Sequence, residues 1–259
     1  MSTERIQAAL RDATDTKDVV IDAGVLTSVG EIFYRTFGDV PAVVVADENT
    51  YKVAGEEVHR RLMAAGRTMV DPYVFPGRPT LRAEYGNITT LVGWLRTHNA
   101  IPVAVASGTL NDIVKRAAHE CDRPYMAVAT AASVDGYTSF GASITMDGFK
   151  QTLTCPAPHA VIADLDVLTA APAIMTASGY GDLLGKVPAG ADWIVADELG
   201  VDPIAPHVWD LVQGPLRAAT ARPAELAAGD RGAMLALVEG LMMSGLAMQV
   251  SGSSRPASG

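Results

Sequence analysis

"IPVAVASGTLNDIVKRAA", residues 101 to 118, joins a run of apolar residues to a helical pattern through a Ser-Gly turn. The apolar run does not alternate with polar residues, so it predicts a strand that is buried on both faces. A buried strand, a turn of small residues and a helix form the repeating unit of a parallel sheet that helices cover on both sides. This stretch therefore predicts an α/β fold.

The same unit recurs along the first two thirds of the chain. Residues 142–154, "ASITMDGFKQTLT", differ because they hold two β-like runs about an Asp-Gly pair, which predicts a hairpin. From about residue 169 onward the pattern is helical only, broken by Pro and Gly. Further strands are predicted at residues 18–26, 41–48, 68–76, 125–130 and 159–168.

This change of pattern predicts two domains with a cleft between them. Residues 1–168 are expected to form the α/β domain, and residues 169–259 the helical domain. The apolar stretch "AMLALVEGLMMSGLAMQV", residues 233 to 250, approaches the length of a membrane span. Glu239 interrupts it and two glycines loosen it, so we expect a buried core helix and no membrane span.

Composition excludes some classes of function. The formal net charge is −9 and no block of Lys or Arg is present, which argues against a nucleic-acid partner. A small anionic ligand is still compatible with this negative charge, because helix N-termini can hold phosphate without net positive charge. The two cysteines, Cys121 and Cys155, make no disulfide framework or metal motif, and the N-terminus has no secretory signal. A cytoplasmic protein with reduced thiols is expected.

Two turns at predicted strand ends could bind a ligand. In "ASGTLNDIVK", Ser107 and Gly108 let the backbone approach a phosphate at a helix N-terminus. An ordinary connection is the commoner explanation of such a turn, and the G-x-G-x-x-G fingerprint is absent. "TAASVDGYTSFGAS", residues 130 to 143, is rich in Ser, Thr and Gly just past the next strand.

Three acids have both a functional and a plain structural explanation. Asp135 could accept hydrogen bonds from a hydroxylated ligand, or it could belong to an Asp-Gly turn. Asp47 could hold the ribose of a dinucleotide, or it could cap the next helix. Asp182 is the single acid of "TASGYGDLLGK", residues 176 to 186, where a capping or surface acid is the simplest explanation.

Together these stretches resemble one family. "SGTLNDIVKRAA", "PYMAVATAASVDGYTSFGASI", "DGFKQTLTCPAPHAVIADLDVL", "SGYGDLLGK" and "SGSSRPASG" are similar, in order and spacing, to motifs of the sn-glycerol-1-phosphate dehydrogenases. These enzymes belong to the iron-containing alcohol dehydrogenase and dehydroquinate-synthase-like superfamily. The resemblance covers most of residues 40–259. It implies a Rossmann-like sheet domain followed by a dehydroquinate-synthase-like helical domain.

The activity that the resemblance implies is a metal-dependent, NAD(P)-linked interconversion of dihydroxyacetone phosphate and sn-glycerol 1-phosphate. It implies a cytoplasmic homo-oligomer that acts on a small phosphorylated substrate in phospholipid biosynthesis. Asp135 matches the acid that contacts substrate, and Asp182 the catalytic acid that binds both substrate and a Zn²⁺ or Ni²⁺ ion, which would polarise the ketone. The residues matched to NAD(H) or NADP(H) binding are Asp47, Gly108, Thr109, Leu110, Asn111, Asp112, Thr130, Ala131, Ala132, Ser133 and Ser139.

The sequence departs from the family in two places. Ala106 stands where the family usually has Gly, which is a mild change. The family's two other metal ligands are histidines, and none of the five histidines of this chain lies in a matching motif; His207, the one in the helical half, is expected to be structural. Metal binding by this chain is therefore expected to be weak or absent.

Three interpretations follow from these departures. The chain could be the N-terminal part of a longer dehydrogenase with an incomplete helical domain, which is the interpretation we favour. It could be a short homologue that binds nucleotide without catalysis. It could also be a glycerol dehydrogenase or a dehydroquinate-synthase-like enzyme on the same fold.

Overall fold

A parallel sheet of six strands forms the centre of the computed structural model, which describes residues 4–258. Residues 1–3 and Gly259, which fall within the two predicted domain ranges, lie outside the described residues. The strands are β1 Asp18–Asp22, β2 Ala42–Asp47, β3 Tyr73–Phe75, β4 Ile101–Ala106, β5 Met126–Ala129, β6 Ala142–Met146, β7 Phe149–Leu153 and β8 Ala160–Asp164. The strand order in the sheet is β1-β8-β5-β4-β2-β3, and β6 and β7 form a separate antiparallel hairpin.

Helices cover both faces of the sheet and make up the described chain after β8. The helices are α1 Glu4–Leu10, α2 Val29–Phe37, α3 Glu48–Thr50, α4 Glu56–Ala64, α5 Tyr85–Leu95, α6 Gly108–Glu120, α7 Leu165–Thr169, α8 Ala173–Leu184, α9 Lys186–Glu198, α10 Pro206–Ala219, α11 Pro223–Ala227 and α12 Arg231–Ser251. A 3₁₀ turn, Val25–Ser28, precedes α2, and a π-helical turn, Tyr51–Gly55, joins α3 to α4.

Strand β4 shows why its sequence lacks a polar face. All six of its residues are buried. Successive side chains point to opposite faces of a strand. Ala104 and Ala106 accordingly pack into the core layer that includes α5, α6 and α12, whereas Val103 and Val105 pack into the layer that includes α2 and α4. Both faces of β4 are buried, so the predicted α/β fold with a covered parallel sheet is confirmed.

The predicted hairpin is also confirmed. Its turn consists of Asp147 and Gly148, which both have positive φ angles, 53° and 81°. Two central residues with positive φ are what a type I′ turn requires, and Asp-Gly meets this requirement at little steric cost. The hairpin lies outside the main sheet and contacts α5 and α6.

Three strand predictions were too long, and one helix was not predicted. The strand predicted at 18–26 ends at Asp22, and residues 25 and 26 belong to the 3₁₀ turn. Residues 165–168 are helical because Asp164 ends β8 and its carboxylate caps α7, accepting from the Asp166 N–H at 3.0 Å. The strand predicted at 68–76 contracts to β3 at the sheet edge. The unpredicted helix, α1, buries Ile6 and packs against α12.

The helix α12 is the apolar segment that approaches the length of a membrane span. Among the described residues it is the one helix that is long and apolar enough to cross a membrane, and 72% of its most apolar window is buried. Leu237, Leu241 and Leu246 belong to the same core layer as the strands. This helix is therefore a core helix, as its composition predicts. The domain boundary at residue 168 stays a prediction, because this core layer joins both parts.

One side chain of α12 connects the two ends of the chain. Gln249 is buried, and its carbonyl oxygen accepts from the N–H groups of Asp15 and Thr16 at 3.0 and 3.1 Å. Its amide nitrogen donates to the Thr16 hydroxyl at 2.8 Å and to the carbonyl oxygen of Thr138. The amide thus ties the segment before β1 and the loop after β5 to α12.

Candidate active site

Three neighbouring strands end side by side at the carboxyl edge of the sheet. β2 pairs with β4, and β4 pairs with β5, all in parallel. After β2 the chain moves outward to β3 and then returns to β4 on the other side of β2, so the direction of winding reverses between β2 and β4. In open α/β sheets, ligands bind outside the carboxyl ends of the strands at such a reversal point.

The helix α6 begins at this point with free backbone donors. Ser107 precedes it in an extended conformation and makes no side-chain cap. The first intrahelical bond runs from the Asn111 N–H to the Ser107 carbonyl at 3.0 Å, which leaves the N–H groups of Gly108, Thr109 and Leu110 without helical partners. A helix N-terminus with unsatisfied N–H groups favours an anion. Phosphate binding at this helix start stays a prediction, with which the geometry agrees.

Gly108 is needed for this arrangement. A Cβ atom at this position would lie 3.0 Å from a methyl carbon of Val134, in the loop after β5. The missing side chain therefore lets the turn after β4 and the loop after β5 approach each other closely. The mild departure at Ala106 is accommodated, because Ala106 is fully buried in the core layer below the turn.

A cavity of about 170 Å³ opens beside this turn. Asp47 caps a helix and lines this cavity, and its predicted role toward a cofactor ribose stays a prediction. Its Oδ1 atom caps α3, accepting from the N–H groups of Asn49 and Thr50 at 2.8 and 2.9 Å, and the residue also lines the cavity. The residues that line the cavity are Asp47, Asn49, Pro76, Gly77, Thr80, Leu81, Ser107, Thr109 and Leu110.

Asn111 and Asp112, also predicted to contact the cofactor, direct their side chains at the loop after β5 and at β6. The Asn111 amide donates to the Gly136 carbonyl in the loop at 3.1 Å and accepts from the Tyr125 hydroxyl at 3.2 Å. Asp112 accepts from the Ser143 N–H of β6 at 3.1 Å, and burial raises the pKa of its carboxyl group. Asn111 thus holds the loop and Asp112 holds β6, and a direct role of either toward cofactor stays a prediction.

Lys115 is a buried lysine that the sequence analysis did not single out. It lies on α6, and its ammonium group donates to the carbonyl oxygens of Gly136, Ser139 and Gly141 at 2.9, 2.8 and 3.0 Å. An ammonium group has three protons, so each of them is used. This one side chain fixes residues 136–141. We call residues 130–141 the cofactor loop, after the role that the sequence predicts for them.

The cofactor loop is closely packed against its surroundings. The Tyr137 hydroxyl donates to the carbonyl oxygens of Ala106 and Ala131 at 3.2 and 2.9 Å, and burial raises its pKa far above the usual value. The Thr138 hydroxyl donates to the Met242 carbonyl on α12 at 2.8 Å. The predicted cofactor contacts in this loop are all buried in the structure, namely Thr130, Ala131, Ala132, Ser133 and Ser139.

Glycines on two helices let the helical region approach the cofactor loop. A Cβ atom at Gly179 on α8 would collide with the carbonyl oxygen of Ala132. A Cβ atom at Gly245 on α12 would collide with the Thr138 hydroxyl. Gly179 belongs to the "SGYGD" motif, so its lack of a side chain explains part of that motif. The close approach brings the next acid of the motif, Asp182, to the loop.

Asp182 meets Asp135 through Lys186. The ammonium nitrogen of Lys186 lies 2.8 Å from Oδ2 of Asp135 and 2.8 Å from Oδ1 of Asp182. The second oxygen of Asp182 accepts from the Asp135 N–H at 2.8 Å, and the Ser244 hydroxyl donates to Asp135 at 3.1 Å. We call Asp135, Asp182 and Lys186 the charged cluster.

The charge state of the cluster follows from its surroundings. The Lys186 side chain is only 3% exposed, whereas those of Asp135 and Asp182 are 19% and 27% exposed. Burial disfavours the ammonium ion, but the two adjacent carboxylates outweigh this effect and raise the pKa of Lys186. The cluster thus holds one cation between two carboxylates. Sequence reasoning missed Lys186, although its spacing of four residues from Asp182 is a helical pairing signal.

The described residues do not make a metal site. Among residues 4–258 no group of three or more His, Cys, Asp or Glu side chains is arranged to hold a metal ion. Both oxygens of Asp182 already accept hydrogen bonds, one of them from an ammonium group. His207 is exposed in the first turn of α10, and His119 and His159 line a separate cavity at the amino ends of β5 and β8. Metal ligation by Asp182 stays a prediction.

Comparison with known proteins identifies the family. The family model of the iron-containing alcohol dehydrogenases matches residues 20–172. Glycerol-1-phosphate dehydrogenase [NAD(P)+] of Halalkalibacterium halodurans is 39% identical over 223 residues, which are 86% of this chain and 56% of the relative. The Bacillus subtilis protein of the same name is 38% identical over 84% of this chain and 55% of its own length. The chain thus spans little more than half the length of these relatives.

A more distant relative is covered more completely. Glycerol-1-phosphate dehydrogenase [NAD(P)+] of Methanosarcina mazei is 31% identical, with 94% of this chain matched to 67% of the relative.

Solved structures share the fold. A probable glycerol dehydrogenase from Sinorhizobium meliloti superposes with a TM-score of 0.72 at 19% identity, over 92% of this chain and 66% of that one. An iron-containing alcohol dehydrogenase from Thermococcus thioreducens gives 0.73 at 16% identity, over 93% and 66%. The chain belongs to the iron-containing alcohol dehydrogenase family and, within it, to the glycerol-1-phosphate dehydrogenases.

Proposed function

We propose that this chain provides the cofactor site and part of the substrate site of an NAD(P)-linked oxidoreductase that interconverts dihydroxyacetone phosphate and sn-glycerol 1-phosphate. The observation that carries the proposal is the meeting of Asp135, Asp182 and Lys186 beside the cofactor loop. The free N–H groups at the start of α6 support it, because they suit the pyrophosphate of a dinucleotide.

In this proposal the cofactor supplies the hydride, and the protein supplies binding and orientation. The start of α6 holds the pyrophosphate, and the cavity beside Asp47 receives the adenosine ribose. The cofactor loop lies at the nicotinamide end, where its buried backbone excludes water. Oδ1 of Asp135 accepts no hydrogen bond within residues 4–258, so it is free to accept one from a substrate hydroxyl. The ammonium group of Lys186 offsets one of the two carboxylate charges of the cluster.

The names of the more similar relatives favour a phosphorylated substrate over plain glycerol. Those at 31% to 39% identity are named for glycerol 1-phosphate, whereas the glycerol dehydrogenase likeness rests on fold at 19% identity. Since sn-glycerol 1-phosphate is a backbone of lipids, we place the reaction in phospholipid biosynthesis in the cytoplasm.

We include a homo-oligomer in the proposal. Val187, Ile194 and Val195 lie on one side of α9 and are 55%, 46% and 57% exposed. An apolar face of this kind is a common feature of protein interfaces. Light scattering of the wild-type chain and of Ile194→Glu compares their masses, and a lower mass for the variant is expected.

A second candidate is a chain that binds nucleotide without turnover. The observation that favours it is the ammonium group of Lys186 on Asp182, together with the lack of a three-ligand metal group among residues 4–258. In this candidate the cofactor site is the same. The two proposals therefore differ in substrate binding and chemistry, not in cofactor binding.

The test separates cofactor binding from substrate binding. NADH fluorescence is titrated with the chain, and sn-glycerol 1-phosphate is then titrated calorimetrically into the NAD⁺ complex, with sn-glycerol 3-phosphate and glycerol as controls. We expect NADH binding and a preference for sn-glycerol 1-phosphate. Asp135→Asn should weaken substrate binding roughly tenfold or more while it leaves NADH binding nearly unchanged. Equal binding of all three polyols would contradict the substrate proposal and favour the second candidate.

Gly108→Trp tests the phosphate cradle itself. The indole ring would fill the turn against Val134 and cover the N–H groups at the start of α6. NADH binding that is unchanged in this variant would remove α6 from the cofactor site.

A further inference from the structure

We propose that Ser244 is a positioning residue that lets the site distinguish sn-glycerol 1-phosphate from its mirror image, sn-glycerol 3-phosphate. Ser244 does this by fixing the plane of the Asp135 carboxylate. The inference rests on the proposed function, since it assumes that Asp135 accepts a hydrogen bond from the substrate. It goes further by assigning the discrimination between the two enantiomers to a residue that does not itself contact the substrate.

The hydroxyl group of Ser244 makes an uncommon hydrogen bond for a helical serine. Serine and threonine inside a helix often donate to the carbonyl group four residues earlier, and Thr90 and Ser178 of this chain do so at 2.9 and 2.8 Å. Ser244, in the second half of α12, instead donates to Oδ2 of Asp135 at 3.1 Å, 109 residues away in the sequence. The residue is fully buried, so bulk water does not compete for this hydrogen bond.

The part of α12 that carries Ser244 is held against the cofactor loop. The Thr138 hydroxyl donates to the Met242 carbonyl at 2.8 Å. A Cβ atom at Gly245 would collide with the same hydroxyl. The helix therefore meets the loop on both sides of Ser244, and the serine reaches Asp135 from an element that is fixed in place.

Ser244 and Lys186 bind the Asp135 carboxylate through the same oxygen. The Lys186 ammonium group donates to Oδ2 at 2.8 Å, so Oδ2 has donors from both α9 and α12, whereas Oδ1 accepts no hydrogen bond within residues 4–258. The last torsion of an aspartate side chain has only a broad preference of its own, so the donors around it set the plane of the carboxylate. With one donor the carboxylate can still rock about that contact. Two donors from different helices restrict this motion and hold Oδ1 in one position.

An acceptor in a fixed position distinguishes the two enantiomers. They have the same atoms and the same charge, and once the phosphate is bound they differ in the direction of the hydroxyl group at the central carbon. The hydroxyl of one enantiomer then meets Oδ1 of Asp135, and that of the other does not. A site built to hydrogen-bond a hydroxyl group rejects a ligand that does not supply it there. A carboxylate that rocks can follow the hydroxyl of either enantiomer, so the loss of Ser244 should reduce the discrimination.

Ser244 can be replaced without changing the charge of the site. Ser244→Ala removes a neutral donor, and alanine is the residue that best favours a helix. Replacing Lys186 would also remove a buried cation and leave two carboxylates without it. A changed enantiomer preference in Ser244→Ala therefore reports on the orientation of Asp135.

The experiment measures the dissociation constants of sn-glycerol 1-phosphate and sn-glycerol 3-phosphate by calorimetric titration into the NAD⁺ complex of the whole chain. Ser178→Ala is the matched control for Ser244→Ala, because Ser178 is an exposed serine on α8 whose hydroxyl donates to the Ile174 carbonyl of its own helix. Asp135→Ala, with and without Ser244→Ala, tests whether the serine acts through Asp135. NADH fluorescence measures the cofactor affinity of each variant.

We expect the wild-type chain to bind sn-glycerol 1-phosphate about tenfold or more tightly than sn-glycerol 3-phosphate. Ser244→Ala should lower this ratio by a factor of about three to ten, because one hydrogen bond to a charged group is lost. Its NADH affinity, and the ratio measured for Ser178→Ala, should stay nearly as in the wild-type chain. When Asp135 is alanine, the serine has no carboxylate to hold, so adding Ser244→Ala should leave the ratio as it is.

An unchanged ratio in Ser244→Ala would overturn the inference alone. So would an equal loss of affinity for both enantiomers, which would indicate a purely structural role. A change of the ratio when Ser244→Ala is added to Asp135→Ala would also overturn it, since the serine would then act through another group. Equal binding of the two enantiomers by the wild-type chain would overturn the proposed function as well.

Discussion

Lys186 and Asp182 form an ion pair of 2.8 Å across the junction of α8 and α9, where Gly185 continues the helical path from one helix to the next. The same ammonium group reaches Asp135, which lies 51 residues earlier in the chain. Lys186, at the start of α9, thus connects Asp182 on α8 with Asp135 in the cofactor loop. Asp135 and Asp182, for which the sequence allowed a functional and a structural explanation, are thus linked by a third residue.

Lys186→Met should destabilise the fold. Removing the ammonium group leaves two partly buried carboxylates close together without a counter-charge, and the loss of one partner of a buried pair costs about 3 kcal/mol. Because Asp135 and Asp182 keep some contact with water, we expect a smaller loss, about 2 kcal/mol. Urea denaturation measures it. Adding Asp182→Asn to Lys186→Met should recover part of the loss, and no recovery would show that charge repulsion is not the cause.

Gly179→Ala should destabilise the chain and weaken NADH binding. The new methyl group would collide with the carbonyl oxygen of Ala132, which is backbone and cannot turn aside. Overpacking of this kind costs roughly 2 kcal/mol.

Gly181→Ala is the matched control for this variant. It is the same substitution on the same helix, with nothing within 4 Å of the added atom. It should be neutral or stabilise the helix by up to about 1 kcal/mol. Thermal unfolding compares the two variants, and equal melting temperatures would disprove the close approach of α8 to the cofactor loop.

The chain should hold less than one equivalent of divalent metal as purified. Residues 4–258 present no three-ligand group, and Lys186 already neutralises Asp182. Zinc sites in enzymes normally use three protein ligands. Elemental analysis of the purified chain, with no metal added, measures the content. One tightly bound ion per chain would mean that further ligands are present, and His207 would be the first to replace.

Cys155 should make the fold sensitive to alkaline pH. Burial raises the pKa of its thiol from 9.0 to about 11. The folded state therefore holds this proton more tightly than the unfolded state, so the stability is present below pH 9 and is lost as the pH rises from 9 through 11. The loss should be on the order of 2 kcal/mol.

Denaturation of the wild-type chain and of Cys155→Ala at pH 8, 9, 10 and 11 checks this prediction. The variant loses stability at every pH, because the shorter side chain leaves a cavity. The comparison therefore uses the slope of the free energy of unfolding against pH, and not its absolute value. A shallower decline is expected for the variant. Equal slopes would assign the alkaline loss to other groups, such as Lys186 and the buried tyrosines.

The sequence predicted most of the sheet because its signals are local. The apolar run at 101–106 and the Asp-Gly turn of the hairpin each depend on a few neighbouring residues. α1 was missed because its burial depends on α12, more than 200 residues away. The strand predicted at 159–168 was too long because an apolar pattern does not distinguish a strand from the first turn of a buried helix.

The site was predictable only in part, because its motifs are local in the sequence but the contacts between them are not. The motifs located Asp135 and Asp182 in the sequence, but their meeting depends on the fold bringing α8 against the cofactor loop. Lys115 and Lys186 were overlooked because a lysine in a helical pattern is usually an exposed residue. Their burial depends on the carbonyl groups and carboxylates that other segments bring to them.

The hydrogen bonds of Gln249 have a consequence for the order in which the nascent chain folds. This side chain joins Thr16 to α12 across 233 residues and also holds the Thr138 carbonyl. Contacts between distant parts of a chain form late, because a long loop must first be closed. During synthesis the sheet strands leave the ribosome long before α12 does. The cofactor loop and the segment before β1 therefore reach their final positions only after translation of the described chain is nearly complete.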